Sequence, residues 1–295
     1  MNVLVTGGTG FIGTALLPAL QAAGHTVTVL TRNTRQVRLP SGVKPIERLD
    51  TLATAPDALI NLAGENLGGR RWSVRSKQLF VDSRIGTTTR LLDAIKRWPT
   101  PPKVLVSGSA IGRYGPRGDE VLTETSAPGD GFAAELCAKW EAVANAAETL
   151  GVRVACVRIG IVLGLPGGAL GQMLPPFKLG LGGPLGSGQQ WMSWVHRDDL
   201  VALMLRLVED DNLRGAFNGT APEPARNTDF TRALGRALKR PAILPMPGFV
   251  LRTLVGEMAD ELLLQGQQVR PERALAAGFT FRYPTLDTAL AEVLK

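Results

Sequence analysis

The sequence has little cysteine, with only Cys137 and Cys156 among its 295 residues. Both lie in apolar surroundings, and neither belongs to a CxxC or Cys/His pattern. This scarcity excludes a disulfide scaffold and argues against a zinc site, so we expect two reduced core residues and no bound metal. A reducing cytoplasm is the compartment that fits such a composition.

Long hydrophobic runs are also missing. No uninterrupted apolar stretch reaches the roughly 18 residues that a membrane span requires. The first residues, 2–6, are typical of a strand and lack the charged and apolar regions of a signal peptide. We therefore expect a cytoplasmic protein with no membrane partner.

Acidic residues are too few to balance the basic ones, since 33 Lys and Arg stand against 26 Asp and Glu, a net charge of +7. The basic residues are scattered, for example around Arg35, Arg71 and Arg236. A nucleic-acid binder usually concentrates them on one helix with interleaved aromatic residues, so we expect no nucleic-acid partner. Binding of a phosphorylated small molecule explains the excess more simply.

The pattern that is present alternates short β-rich runs with longer helical stripes. Strands are predicted at residues 2–6, 26–31, 57–62, 103–107 and 152–159. Helices are predicted over residues 12–23 and along residues 132–147. A further long helix between the strands 57–62 and 103–107 is predicted to end near residue 98. This alternation predicts an α/β fold with a Rossmann-type, doubly wound parallel sheet.

The alternation stops after residue 163, because residues 164–190 are rich in Gly and Pro. A short strand at 193–196, a helix capped by Asp198 or Asp199, and an extended segment at 217–218 then resume it. We predict a cofactor-binding domain at 1–163, to which residues 191–220 return. Residues 164–190 and 221–295 are predicted to form a smaller, mainly helical substrate or cap lobe.

A glycine turn follows the first predicted strand, in the order strand, turn, helix. Gly7 permits a tight turn, Gly10 lets backbone amides approach a pyrophosphate, and Gly13 lets the helix pack on the strand. A purely structural turn is the alternative, but the surrounding βαβ pattern favours dinucleotide binding. The amides of Phe11 and Ile12 are predicted to meet the pyrophosphate at the start of the helix.

The end of the second strand predicts which dinucleotide binds. Thr31 and Arg32 stand where an acidic residue would bind the ribose of NAD, so the sequence favours NADP(H) over NAD. A solvated loop arginine is the alternative. The remaining predicted cofactor contacts lie at the ends of the next two strands: Leu62, Ala63, Gly64 and Ser107.

Several motifs together resemble the extended short-chain dehydrogenase/reductases: TGGTGFIG, NLAG, SGSAIGRYG, RIGIVLG and WMSWVHRDDL. Others resemble the atypical YfcH-like branch of that family, described as nucleoside-diphosphate-sugar epimerases: NLAGENLGGRRW, ELCAKWE, SWVHRDDL, and the stretch from FNGTAPEPARNTDF to RPERALAAGFTF. The resemblance spans essentially the whole chain. It implies an NAD(P)-binding Rossmann domain and a C-terminal lobe that holds substrate in the cleft between them.

The resemblance also implies catalytic positions. The family carries a Ser or Thr after the fifth strand, which Ser109 matches, and a Tyr-x-x-x-Lys pair on the next helix. Aligning that helix on Glu141 brings Ala133 and Cys137 to the Tyr and Lys positions, so the pair that would exchange protons with a sugar hydroxyl is missing. Tyr114 is then a candidate acid, or a substrate contact like the corresponding tyrosine of the relatives.

Four residues are predicted to contact substrate. Arg71 and Trp72 follow the fourth strand and would border the nicotinamide half of the cleft, where an arginine suits a phosphate or carboxylate; surface placement is an equal alternative. Gln189 and Trp194 belong to a segment that resembles the substrate loop of the relatives. His196 is expected to be structural rather than catalytic.

Two functions remain open on the sequence. The first is an NADP-dependent epimerase or oxidoreductase acting on a nucleotide sugar or a similar anionic small molecule. The second is a catalytically retired NADP(H)-binding sensor or regulatory protein. The missing Tyr/Lys pair supports the second, whereas Ser109 and the whole C-terminal lobe support an enzyme. A homodimer is compatible with either.

Overall fold

The computed structural model describes residues 1–295. Its centre is a parallel sheet of seven strands, in chain order β1 Asn2–Thr6, β2 Thr26–Leu30, β3 Lys44–Ile46, β4 Ala58–Asn61, β5 Val104–Ala110, β6 Arg153–Ile159 and β7 Gly215–Gly219. The spatial order is β7-β6-β5-β4-β1-β2-β3. This confirms the predicted Rossmann-type sheet, and the chain changes direction between β1 and β4, where ligands bind in doubly wound folds.

Helices cover both faces of the sheet and form most of the C-terminal part. They are α1 Gly13–Ala22, α2 Val74–Val81, α3 Thr87–Arg97, α4 Phe132–Asn145, α5 Gly168–Lys178, α6 Arg197–Glu209, α7 Asn227–Leu238, α8 Gly248–Val255, α9 Glu272–Ala276 and α10 Leu286–Val293. Two π-helical turns occur, at Asp82–Gly86 between α2 and α3 and at Ala259–Leu264 after α8. Short 3-10 turns lie at Leu49–Thr51, Leu67–Gly69, Ile111–Tyr114 and Ala146–Leu150.

Three pairs of short strands join distant segments outside the main sheet. Ile161–Leu163 pairs with Trp194–His196 in parallel, and Trp191–Met192 pairs with Ala225–Arg226 in antiparallel fashion. Val121–Leu122 pairs with Gln268–Val269 in parallel. These pairings fasten the C-terminal lobe to the carboxyl edge of the sheet.

The sheet is buried on both faces because side chains alternate along each strand. Val3 and Val5 enter a core of 25 buried residues shared with α1 and α6, whereas Leu4 enters a second core of 15 residues shared with α3 and α4. The C-terminal lobe has a third core of 13 residues. None of the helices has the length and apolar character that a bilayer crossing requires.

The start of α6 differs from the prediction that Asp198 or Asp199 caps it. The N-cap is His196, whose Nδ1 accepts a hydrogen bond from the Asp198 amide at 3.1 Å. Asp199 is buried and instead accepts the backbone amides of Arg282 and Tyr283 at 2.8 and 3.0 Å. The expected structural role of His196 is confirmed, and Asp199 ties the C-terminal loop to α6.

Strand β3 was not predicted from the sequence. It has three residues and pairs with β2 alone, at the edge of the sheet. Its segment, Lys-Pro-Ile, has one buried residue and therefore no apolar alternation that a pattern could detect.

Candidate functional site

A cleft of about 710 Å³ opens at the carboxyl ends of β1, β2 and β4. Seven of the eleven predicted cofactor residues line it: Gly7, Gly10, Thr31, Arg32, Leu62, Ala63 and Gly64. They come from three separate strand ends, which the parallel sheet brings to one edge. The cleft therefore has the position of a dinucleotide site in this fold.

The glycine turn forms the floor of this cleft. Gly7 has φ +71°, and a Cβ atom there would overlap the carbonyl of Leu62. A Cβ on Gly13 would overlap the Gly7 carbonyl, so this glycine brings α1 onto the turn. A Cβ on Gly10 would meet only Gly7 O, at 3.2 Å. Gly10 is thus the glycine whose bare backbone faces the open cleft rather than the protein.

Four predicted cofactor residues do not line the cleft with their side chains. Gly13 packs beneath the turn, and Ser107 is fully buried, with Oγ donating to Gly108 O at 3.2 Å. The ring of Phe11 lies under the start of α5 and beside Arg197, whose Cζ is 5.2 Å from the ring centroid. Phe11 and Ile12 can therefore offer a ligand their backbone amides only.

The β2 end of the cleft is rich in charge. The Arg32 side chain is 95% exposed, and its Nη1 donates to Glu65 Oε1 at 3.3 Å. Arg70 Nη2 lies 3.9 Å from the other oxygen of Glu65. Glu65 thus stands between two arginines, and Arg32 is free to turn toward a ligand.

Arg84 lies on the other side of Gly64. It is half-buried in the π-helical turn, and a Cβ on Gly64 would lie 2.9 Å from its Cζ. Its Cζ is 5.3 Å from the ring centroid of Trp140, and no carboxylate pairs with it. Burial lowers the pKa of the Arg84 guanidinium. A cation without an anionic partner therefore flanks the cleft beside β4.

The two predicted catalytic hydroxyls are engaged inside the protein. Ser109 is 2% exposed and donates to Glu141 Oε1 at 2.7 Å. Tyr114 is fully buried; its hydroxyl donates to Asn218 Oδ1 at 2.6 Å and accepts from Arg158 Nη1 at 2.9 Å. Burial raises the pKa of Tyr114. Tyr114, predicted as an acid or a substrate contact, is thus buried and does not line the cleft, because β6 and β7 supply polar partners for its hydroxyl.

Glu124 belongs to the same buried network. Its Oε1 accepts the Asn218 amide at 2.9 Å and its Oε2 accepts the Arg273 amide at 3.3 Å. The Glu124 side chain is therefore buried and held by backbone amides of two distant segments. It links β7 to the start of α9 in the C-terminal lobe.

The positions of the missing Tyr and Lys are occupied by buried, small side chains. Ala133 and Cys137 are 6% and 5% exposed, and burial raises the pKa of the Cys137 thiol. A carboxylate approaches this helix end from the C-terminal lobe: Glu261 Oε2 accepts the Ala133 amide at 3.4 Å. A Cβ on Gly131 would lie 2.6 Å from Glu261 Oε1. No motif marks Glu261, because it lies 128 residues from Ala133 in the chain.

The two predicted substrate tryptophans are core residues, which corrects the sequence interpretation. Trp72 is 7% exposed, donates from Nε1 to Leu67 O at 2.9 Å, and packs edge-on against Phe132 at 5.2 Å. Trp194 is fully buried in the core of the C-terminal lobe. Both indoles fill interior volume that only the tertiary structure defines.

Arg71 and Gln189 are exposed, as a substrate contact requires. Arg71 lies along Gly256, where a Cβ would be 3.0 Å from its Nε. Gln189 lines a second cavity of about 360 Å³ between the lobe and the segment after Tyr114.

An aromatic and charged cluster forms one wall of this second cavity. Arg226 stacks on the Trp191 ring at 4.0 Å, and both donate to Asp119 Oδ1, at 2.7 and 3.0 Å. Those bonds, from Trp191 first and then Arg226, lower the pKa of Asp119. The structure brings together no group of His, Cys, Asp and Glu side chains that could hold a metal ion.

The family model of the NAD dependent epimerase/dehydratase family matches residues 3–218, which contain the sheet and the cleft. The chain belongs to this family. Residues 246–293 match a second model, a domain of unknown function called DUF1731. The resemblance inferred from the sequence motifs is thereby confirmed.

Similar proteins cover the chain from end to end. The chloroplastic SDR39U1 homolog of Arabidopsis thaliana, an epimerase family protein, is 42% identical and aligns with 100% of this chain and 87% of its own. The crystal structure of human epimerase family protein SDR39U1 with NADPH has a TM-score of 0.89 at 40% identity, covering 99% of both chains. A nucleoside-diphosphate sugar epimerase from Corynebacterium glutamicum has a TM-score of 0.80 at 33% identity and covers 100% of this chain but 58% of its own.

Proposed function

We propose that this chain binds NADP(H) in the 710 Å³ cleft and is an NADP-dependent epimerase or oxidoreductase acting on a nucleotide sugar or a similar anionic small molecule. The observation that carries the proposal is the pairing of the Gly7–Gly10 turn with Arg32 at the end of β2. A bare turn at a helix start accepts a pyrophosphate, and an exposed arginine at that strand end accepts a 2′-phosphate. The human relative crystallised with NADPH supports the same cofactor.

The residues around the cleft provide the space and the charge that this cofactor requires. The turn at Gly10 presents bare backbone to the cleft, and Leu62 to Gly64 line the cleft as well. Arg84, beside Gly64, supplies an unpaired cation on the half of the sheet that follows β4. These residues would hold the two ends of the dinucleotide. When bound, the cofactor would donate a hydride to a substrate that is reduced, as NADPH, or accept one from a substrate that is oxidised, as NADP⁺.

Proton transfer needs a group other than the usual tyrosine. Ser109 and Tyr114 are committed to buried partners, and Cys137 is a buried thiol. Glu261 has a carboxylate at the start of α4 and takes part in no ion pair. We therefore name Glu261, whose carboxylate lies beside Ala133 at the position of the missing tyrosine, as the candidate proton-transfer group.

An anionic substrate is supported by the residues around the second cavity. Gln189, Trp191 and Arg226 combine an amide, an aromatic face and a guanidinium, which together suit a base or sugar carrying phosphate. In the structure, Asp119 neutralises Arg226 at 2.7 Å, so a phosphate would compete with that carboxylate.

A second candidate function is an NADP(H) sensor without turnover. It is favoured by one observation: Ala133 and Cys137 replace the proton-transfer pair, and both are buried. The cleft and its charges would serve a sensor equally well.

Two measurements test these proposals. Calorimetry should give tighter binding of NADPH than of NADH, and equal affinities would remove the cofactor assignment. An oxidoreductase should then change the absorbance of the reduced nicotinamide with at least one member of a panel of sugar nucleotides and carbonyl compounds. An epimerase returns the hydride to its substrate, so it should convert a sugar nucleotide to its epimer with no net change in that absorbance. Loss of either activity in Glu261→Gln, with NADPH affinity retained, supports Glu261 as the proton-transfer group. Tight NADPH binding with neither a redox change nor epimerisation across the panel favours the sensor.

A further inference from the structure

Large apolar side chains are exposed on one part of the C-terminal lobe. Twelve large hydrophobic residues are exposed in the whole chain, and six of them lie on two neighbouring segments. We call these six the apolar patch: Leu179, Leu181, Ile243, Leu244, Met246 and Phe249. Their exposure ranges from 39% for Met246 to 77% for Ile243. Apolar side chains concentrated in this way mark an interaction surface rather than ordinary scatter.

The two segments that carry the patch are held side by side by backbone hydrogen bonds. The amide of Leu244 donates to Gly182 O at 3.1 Å, and the amide of Met246 donates to Pro184 O at 2.9 Å. A Cβ on Gly183 would overlap the backbone of Leu244, so the two backbones touch there. The patch is therefore one ordered surface, although its halves lie about sixty residues apart in the chain.

The two segments that carry the patch contain no acidic residue, and the carboxylate of Asp260, in the π-helical turn after α8, is paired with Arg252. Residues 149–197 contain no Asp or Glu, and neither do residues 230–256. Lys178 adjoins Leu179, and Lys239 and Arg240 precede the second segment; all three are exposed and take part in no ion pair. The surface thus combines projecting apolar side chains with a rim of three free cations.

A second copy of the chain does not suit this surface. A twofold interface places the same patch on both sides, so the cations would face one another across it. A docked helix requires a groove, whereas these six side chains project from the surface with exposures of 39% to 77%. A lipid bilayer requires neither a groove nor a matching protein surface. Apolar side chains enter its interface while cations meet anionic headgroups.

We propose that the apolar patch and its cationic rim dock this protein on a bilayer surface rich in anionic lipid. The sequence predicted no membrane partner because it contains no long apolar run. Peripheral docking needs no such run, since the patch is assembled from two short segments. The inference is independent of the cofactor and the reaction proposed above.

The test is co-sedimentation of the full-length protein with vesicles of phosphatidylcholine alone and of phosphatidylcholine with phosphatidylglycerol. We expect binding to the anionic vesicles and little to the neutral ones. The pair Lys239→Gln and Arg240→Gln should weaken binding by about twenty-fivefold, since each charge removed costs roughly fivefold. The pair Ile243→Ser and Phe249→Ser should weaken it by about tenfold or more, because two side chains no longer enter the interface.

Matched controls separate the patch from general effects of charge and hydrophobicity. Arg35→Gln with Arg38→Gln removes the same charge from exposed positions elsewhere, and Val74→Ser removes an apolar side chain that is 90% exposed. Both controls should bind vesicles like the wild type. Thermal unfolding of every variant should match the wild type, since all these side chains are exposed.

Three results would overturn the proposal. The first is a monomeric protein that binds neither kind of vesicle. The second is equal weakening by the matched controls, which would reduce the effect to net charge. The third is a dimer in solution that the Ile243→Ser and Phe249→Ser pair dissociates, because the patch would then be a subunit interface.

Discussion

Glu141 and Arg158 form a two-point ion pair in the interior, with Arg158 Nε 2.9 Å from Glu141 Oε1 and Nη2 3.0 Å from Oε2. The carboxylate comes from α4 and the guanidinium from β6, and both residues are nearly inaccessible to solvent. Ser109 and Tyr114, the hydroxyls that the sequence marked as catalytic, each bind one member of this pair. The pair therefore determines where both hydroxyls point.

Replacing Glu141 should destabilise the fold strongly. Glu141→Gln leaves Arg158 buried without a counter-charge, which costs about 3 to 5 kcal/mol. Thermal or urea unfolding measures the loss. Glu135→Gln on the same helix is the control, since its exposed pair with Lys139 at 3.6 Å contributes about 1 kcal/mol or less. Equal small losses in both variants would mean that the buried pair does not stabilise the protein.

Replacing the hydroxyl of Tyr114 should alter stability rather than chemistry. Tyr114→Phe leaves the buried Asn218 Oδ1 without its donor, which costs about 1 to 3 kcal/mol. The turnover number should change by less than about tenfold, whereas loss of a general acid costs roughly a hundredfold to ten-thousandfold. The control is Tyr283→Phe, which removes the hydroxyl of the second of the two tyrosines in the chain. A large drop in kcat at unchanged stability would instead identify Tyr114 as a general acid.

Reversing the charge of Arg32 should reverse the choice of cofactor. Arg32→Asp removes a charge-assisted contact to the 2′-phosphate worth about 1.5 to 3 kcal/mol and offers a carboxylate to the ribose of NADH. Calorimetry with both cofactors gives the ratio of affinities. Because the Arg32 side chain is 95% exposed, the stability of the protein should not change. An unaltered ratio would place the 2′-phosphate away from Arg32.

Two glycines of the turn should respond differently to the same substitution. The Cβ atom that Gly10→Val adds meets only Gly7 O, at 3.2 Å, so the protein should fold but lose NADPH binding because the valine occupies the pyrophosphate space. Gly13→Val overlaps the backbone of Gly7 and Gly8, so the folded state itself should be lost. Circular dichroism and NADPH titration distinguish the two outcomes. A folded Gly10 variant with full NADPH affinity would contradict the cofactor site.

Stability should fall as the pH drops below about 6.5, the ordinary pKa of histidine. Burial lowers the pKa of His196, although Asp198, 3.9 Å away, opposes the shift. The unfolded chain therefore binds a proton at a higher pH than the folded one, and acid favours unfolding until the lower folded pKa is reached. His196→Asn keeps a capping acceptor and should flatten this slope in urea titrations between neutral and mildly acidic pH. Parallel slopes in both proteins would assign the effect to other groups.

The sequence was sufficient for features that short-range patterns encode. The alternation of apolar residues predicted six of the seven sheet strands, and glycine spacing predicted the turn that lines the cleft, because both depend on neighbours a few residues away. The strand pattern also predicted that Arg32 lies at the end of the second strand, beside the cleft. The cytoplasmic location remains a prediction, and the name of the Arabidopsis relative places that protein in the chloroplast.

Only the tertiary structure decided which side chains meet the cleft and which are buried. Tyr114 is drawn inward by Arg158 and Asn218, which lie 44 and 104 residues away, and Trp194 lies in a core built by helices that come both before and after it in the chain. Glu261 reaches Ala133 across 128 residues, and the apolar patch joins two segments that are unremarkable alone. Burial is a property of the assembled surfaces, because a side chain leaves water only when distant elements cover it.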